Sequence, residues 1–280
     1  MKIGVAMFFT DYSMTPQELG VAAEERGFDS LWSPEHSHIP VSRESAFPSG
    51  GELPKKYYDA MDPFVALMAA AAVTRRIKVG TGVCLVAQRD PIQTAKQVAS
   101  IDQLSNGRFL FGIGNGWNKD EMRNHGTVFE TRHKLARERV EAMKVIWSKS
   151  KPEYHGEMVD FAPMMTWPKP VQKPHPPIWV GGAFPYGARR AIRYGDGWMP
   201  HRARPHYANV RDFIPEFRKL AAEANRDVPV TIWGAKEDED MLKQDRDAGV
   251  VRVIVSLDSA KSDDVIPELD RWARLAEKVA

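Results

Sequence analysis

The sequence predicts an α/β protein of the TIM (β/α)8 barrel class with an insertion after strand 4. Eight short apolar, β-prone runs alternate with helical patterns along the whole chain, an alternation that argues for a parallel sheet. At 280 residues the chain suits one closed barrel of roughly 250 residues. Glycine, proline and histidine collect just past several of the apolar runs, where α/β folds place their ligands. Residues 1–280 therefore read as a single domain.

Residues 2–9 form the first strand, and Thr15-Pro16 supplies an N-cap and a first helical residue. The helix that follows carries Leu19, Ala22 and Ala23 on one face and stops at Gly27, before strand two at 28–32. Residues 33–60 are rich in Pro, Ser and Gly and read as a long irregular loop of the kind that covers a site. Asp62-Pro63 opens an Ala-rich helix to Thr74, and residues 77–83 form strand three. Pro91 begins a helix that ends near Ser105-Asn106-Gly107. Strand four, residues 109–113, is short and apolar, as a buried parallel strand is. A helix over 132–147 follows, then a proline-rich stretch at 154–176 with a hairpin turn at Gly156, so the insertion covers about 128–176. PPIWV gives strand five, and a Gly-Gly turn leads into the next helix. Short strands at 197–200, 228–234 and 251–257 then alternate with helices at 205–224, 237–248 and 263–279.

The charge balance, 39 basic against 37 acidic residues, leaves a formal net charge of +2 with no basic block, which argues against a polynucleotide partner. With 43% hydrophobic and 27% charged residues the composition is that of a soluble globular protein. No run approaches the ~20 apolar residues that span a bilayer. The amino terminus lacks the length and cleavage site of a secretory signal. The single cysteine, Cys84, excludes an internal disulfide and lies in an apolar strand, where a small buried filler is a better reading than a nucleophile. A cytoplasmic location is the expectation.

Three places carry candidate chemistry. Gly112, Gly114 and Gly116 alternate where strand four ends, leaving backbone open to a flat or anionic ligand unless they only release the strand into a loop. Gly181, Gly182 and Ala183 end strand five, and Pro185 starts a helix, so free N–H groups and the helix dipole favour a phosphate there. Arg189, Arg190 and Arg193, then His201, Arg202 and Arg204, add positive charge nearby, although a solvated helix face accounts for some of them. Glu35, His36 and His38 follow strand two, and an imidazole there could donate or accept a proton near neutral pH, which suits proton transfer as well as a solvated loop position. His38, His155, His201 and His206 show no zinc-binding spacing, so no metal is expected.

LWSPEH, IKVGTGV, DQLSNGRFLFGIGNGW, the PKPVQ before PPIWVGG, and GDGW occur in that order over roughly residues 1–200. Together they resemble the bacterial luciferase-like family of flavin- and deazaflavin-dependent oxidoreductases, most nearly its coenzyme F420-dependent branch. The resemblance implies a tricyclic cofactor at the carboxyl ends of the strands, with its phosphate near the later strand-to-helix turns. It also implies a non-proline cis peptide in strand three at Gly82-Val83, behind the ring, and an active-site role for His36, which matches the family's strand-two histidine. On that reading the cofactor contacts are Gly82, Val83, Gly114, Asn115, Gly116, Gly181, Gly182 and Ala183, with Glu35 and Trp117 in the substrate pocket. Trp117 stands where the glucose-6-phosphate branch has a glutamate, which argues against that substrate.

The cofactor implied is F420, exchanging hydride with a small organic substrate. The alternative is reduced FMN with O2 in a monooxygenase, and a second is a barrel or subunit that binds a flavin without turnover. Family members commonly pair, so a homodimer is expected, and a separate cofactor reductase is a further partner the resemblance admits.

Overall fold

In the computed structural model, which describes residues 1–279, the apolar runs lie side by side as parallel strands. The chain forms β1 (Lys2–Ala6), β2 (Ser30–Ser33), β3 (Lys78–Thr81), its continuation β4 (Cys84–Leu85) and β5 (Phe109–Gly114). A separate antiparallel hairpin, β6 (Tyr154–His155) with β7 (Asp160–Phe161), follows. The barrel resumes with β8 (Ile178–Gly181), β9 (Gly197–Met199), β10 (Thr231–Trp233) and β11 (Arg252–Ser256). The order β10-β11-β1-β2-β3-β5-β8-β9 is continuous, and the bridges Trp198↔Val230 and His201↔Trp233 join its two ends. The sheet thereby closes into a TIM barrel, which leaves no long free edge.

Helices α1 (Pro16–Glu25), α2 (Pro63–Val73), α3 (Pro91–Leu104), α4 (Lys119–Asn124) and α5 (Arg132–Ser148) occupy the first half of the chain. Helices α6 (Tyr186–Tyr194), α7 (Ile214–Glu223), α8 (Glu239–Asp247) and α9 (Ser262–Val279) complete it. Their starts follow from local chemistry: Thr15 and Glu18 form a capping box, and Asp62 and Asp90 each cap a helix whose first residue is proline. Each such cap contributes about 0.5–2 kcal/mol. In the hairpin, Gly156 N–H bonds to the Val159 carbonyl at 2.8 Å, while Glu138 of α5 accepts from Met158 and Val159 N–H.

Alternation along β1 sends Ile3 and Val5 outward to the helices and Ala6 inward. The inner cluster holds Trp32, Leu110, Trp179, Met199, Trp233 and Ile254. Its three tryptophans fit because each lies on a glycine, two of them on a neighbouring strand and Trp233 on Gly82 from across the barrel. A Cβ on Gly80 would lie 2.6 Å from Trp32, one on Gly197 2.3 Å from Trp179, and one on Gly82 2.3 Å from Trp233. Beneath them Arg252, 4% exposed, stacks over Trp32 and Trp179 and pairs with Asp29 at 2.7 Å. The barrel is thus plugged at the amino-terminal end of its strands and open at the other.

Two stretches depart from the sequence reading. The helix expected from residue 205 begins only at Ile214, after a 3-10 turn at Val210–Phe213. Residues 201–209 instead form a loop, because Arg202 is buried in an ion pair with Asp245 that also engages Arg211, and Arg204 and Tyr207 exchange backbone hydrogen bonds across a tight turn. The second departure is α4, a helix of six residues that the apolar periodicity did not reveal. Among the described residues, no helix is long and apolar enough to cross a membrane.

Candidate active site

A cavity of about 700 Å3 opens at the carboxyl ends of the strands. Met199 and Trp233 of the inner cluster and the Gly82-Val83 peptide, which is cis, line it. Loop residues Phe47, Pro48 and Tyr57 close one side, and Asn115, Gly116 and Trp117 another.

His36 follows β2 and is 7% exposed, with its ring 5.4 Å from Tyr57 and 5.6 Å from Trp117. Its Nδ1 lies 2.8 Å from Oε2 of Glu121, a carboxylate without solvent exposure, and the other oxygen of Glu121 accepts from Ser37 N–H. A carboxylate on Nδ1 fixes the tautomer and leaves Nε2 for proton chemistry in the cavity. Sequence reasoning missed Glu121. The signal was the spacing of three from Asn118, an N-cap residue, to Glu121, the pattern of a helix start, and Asn118 does accept from Glu121 N–H at 3.4 Å.

The neighbouring Asp120 accepts from the Ser42 and Ser45 hydroxyls and from Glu44 N–H, while Arg123 pairs with Glu44. Desolvation opposes the charge of Asp120, but the donors Ser42 and Ser45 outweigh it and hold the carboxyl below its usual range. One short helix therefore positions both the histidine and the loop over the cavity.

The glycines at the end of β5 are there chiefly for protein packing. A Cβ on Gly112 would meet the Thr81 carbonyl at 1.9 Å, one on Gly114 would meet Val83 at 2.3 Å, and one on Gly116 the end of Met122 at 2.3 Å. Gly114 and Gly116 still line the cavity, whereas Gly112 does not. Of the later turn, Gly181 and Gly182 line it. Ala183 does not, and its carbonyl accepts from Gly187 N–H. Gly182 has φ +121°, and a Cβ there would lie 2.9 Å from Nη2 of Arg190.

The arginines divide by position. Arg189 and Arg193 are exposed, and Arg202 is held by Asp245. Arg190 and Arg204 face the cavity. The Nε of Arg190 is buried without a hydrogen-bond partner. Nearby His133 bonds to Asn115, and desolvation together with Arg190 and Arg132 lowers its pKa to about 4. His201 lines the cavity, and desolvation there, with Arg204 beside it, lowers its pKa to about 3. Both are neutral histidines near pH 7.

Glu35 is in the wall, but its oxygens are engaged by Leu85 N–H and by Arg89, which also reaches Asp62. Burial raises the Glu35 pKa against the pull of Arg89, and burial beside Glu35 pushes the Cys84 thiol up. Cys84 is thus a buried, unreactive thiol. Among the described residues no group of three His, Cys, Asp or Glu is arranged to hold a metal ion.

A closed parallel barrel with a deep cavity at its carboxyl end, a buried His–Glu pair and an unsatisfied arginine defines an α/β barrel built to hold a ligand there. The sequence model of the luciferase-like monooxygenase family matches residues 14–235, and the chain belongs to that family. It is 38% identical over 283 residues to an uncharacterized protein of Mycobacterium tuberculosis (strain ATCC 25618 / H37Rv), covering 98% of both chains. Among solved structures it is similar to monooxygenase RslO1 from Streptomyces bottropensis, with a TM-score of 0.77, 21% identity and 98% of both chains covered. It is also similar to an F420-dependent secondary alcohol dehydrogenase in complex with an F420–acetone adduct, with a TM-score of 0.75, 19% identity and 100% of both chains covered.

Proposed function

We propose that this chain is an oxidoreductase that holds F420 in the barrel cavity and exchanges hydride between it and a small organic substrate. The observation that carries this is the pairing, within one cavity, of a buried His36–Glu121 dyad with Arg190, whose buried Nε has no partner in the protein. A buried donor left unmade costs about 1–3 kcal/mol, so Arg190 suits a bound oxyanion. The residues present fit a phosphorylated tricyclic cofactor. Arg190 and the Gly181-Gly182 backbone would hold its phosphate, and Gly82, Val83, Gly114, Asn115 and Gly116 would border its ring.

Bound F420 supplies hydride transfer. The chain's residues do the rest. His36 gives or takes at Nε2 the proton that balances the hydride, and Glu121 stabilises the charged imidazole. Phe47, Tyr57 and Trp117 exclude water from the cavity.

A second reading, reduced FMN with O2 in a monooxygenase, is supported by the same Arg190, which a single phosphate satisfies equally well. Anaerobic titration with reduced F420 and, separately, reduced FMN tests both. Saturable binding of F420 alone supports the hydride reading, preference for FMN supports the oxygenase, and binding of neither overturns both.

A further inference from the structure

We propose that the substrate carries an oxyanion, a carboxylate or similar group, bound by Arg204 at the side of the cavity where His36 acts. This rests on the reading of the same cavity as the site of F420 or FMN. Arg204 stands in the wall with no carboxylate paired to it among the described residues. Its neighbours are aromatic or neutral: the Tyr57 and Tyr207 rings and His201. The Tyr207 hydroxyl donates to the His201 carbonyl at 3.2 Å, so its oxygen is free to accept from Arg204. Glu35, the carboxylate in the cavity wall, is engaged by Arg89 and Leu85 N–H, and Lys56 reaches outward to Asp258. A guanidinium drawn out of water without a counter-charge is costly unless a ligand supplies one.

Tyr57 ties this cation to the chemistry. Its ring is 5.4 Å from His36 on one side and within electrostatic reach of Arg204 on the other. Arg190 belongs to a different group, against Gly182 and beside His133 and Arg132. The cavity therefore has two separate cationic loci, one suited to a cofactor phosphate and one to a second anion. Around Arg204 the walls are apolar: Phe8 packs 4.5 Å from Tyr57, and Phe47 5.3 Å from it. Arg204 is also held firmly, because its N–H and carbonyl bond to Tyr207 at 2.9 and 3.0 Å and the preceding Arg202 is locked to Asp245. A planar guanidinium carried on a held backbone, in a cavity with apolar walls, suits a small apolar acid.

The test is calorimetric binding of benzoate, cyclohexanecarboxylate and hexanoate, each against its neutral amide, to the purified chain with and without reduced cofactor. At least one acid is expected to bind about tenfold or more tightly than its amide. Arg204→Gln should abolish that preference while leaving the cofactor Kd unchanged, and Arg190→Gln should do the reverse, with thermal unfolding confirming that both variants fold. The proposal is overturned if no acid exceeds its amide, or if the preference survives Arg204→Gln. It is also overturned if Arg204→Gln weakens the cofactor and leaves the acids alone, which would make Arg204 a cofactor contact. Failure of both cofactors to bind the unaltered chain would sink the functional reading, whereas the acid preference is read without cofactor.

Discussion

Nδ1 of His36 and Oε2 of Glu121 are 2.8 Å apart, and the two residues, 85 positions distant in sequence, are both buried beside the same cavity. The carboxylate holds the imidazole by its far nitrogen. Glu121→Gln keeps the shape but removes the charge that stabilises a protonated ring. Turnover should fall about 10- to 100-fold, a part of the ~100- to 10,000-fold that a positioned proton-transfer group contributes, and the acidic limb of the pH–rate profile should move. Unchanged kcat and profile would exclude the dyad from the proton step.

Arg190→Gln removes a charged donor from the phosphate end of the cavity. The Kd of whichever cofactor binds should rise about tenfold or more, with little change in melting temperature because no ion pair in the protein is lost. An unaltered Kd would place the phosphate elsewhere.

Gly80→Ala puts a Cβ 2.6 Å from the buried ring of Trp32. Overpacking of this kind costs about 1–3 kcal/mol. Denaturant unfolding should show that loss, and adding Trp32→Phe should recover part of it as a non-additive coupling between touching residues.

His133 has a folded pKa lowered to about 4 from 6.5, first by desolvation and then by Arg190 and Arg132. As pH falls below 6.5 the unfolded chain takes up the proton before the folded one, so stability declines between about pH 6.5 and about 4. Urea midpoints measured across that window should fall with pH, and His133→Gln should flatten the slope.

Asp120→Ala removes the acceptor of Ser42, Ser45 and Glu44 N–H. Proteolysis within residues 41–50 should quicken. In the unaltered chain the folded Asp120 pKa is depressed, so its contribution is complete above the ordinary carboxyl range of about 4 and is lost only below it. Cleavage there that is as slow in the variant as in the parent would show that other contacts hold the loop.

The strands, the helix starts and the cavity's end of the barrel could be read from the sequence because they depend on local patterns: Thr15, Asp62 and Pro91 mark helix starts, and the runs from Phe109 and Ile178 mark buried strands. Partnerships were harder. Glu121 looks like an ordinary acidic residue in a first helical turn until the fold brings His36 against it. Pro205 looks like a helix start until Asp245, 40 residues on, takes hold of Arg202 and turns the chain into a loop. The glycines after β5 looked like room for a ligand, but Thr81 and Val83 from the adjacent strand fill most of it. Pairings set by closure of the barrel have no signature in local spacing.

Asp120 and Glu121 are consecutive, yet one fastens the loop and the other the imidazole. Both sit in the first turn of a helix of six residues capped by Asn118. A substitution that unwinds this one turn should therefore release the loop and the imidazole together.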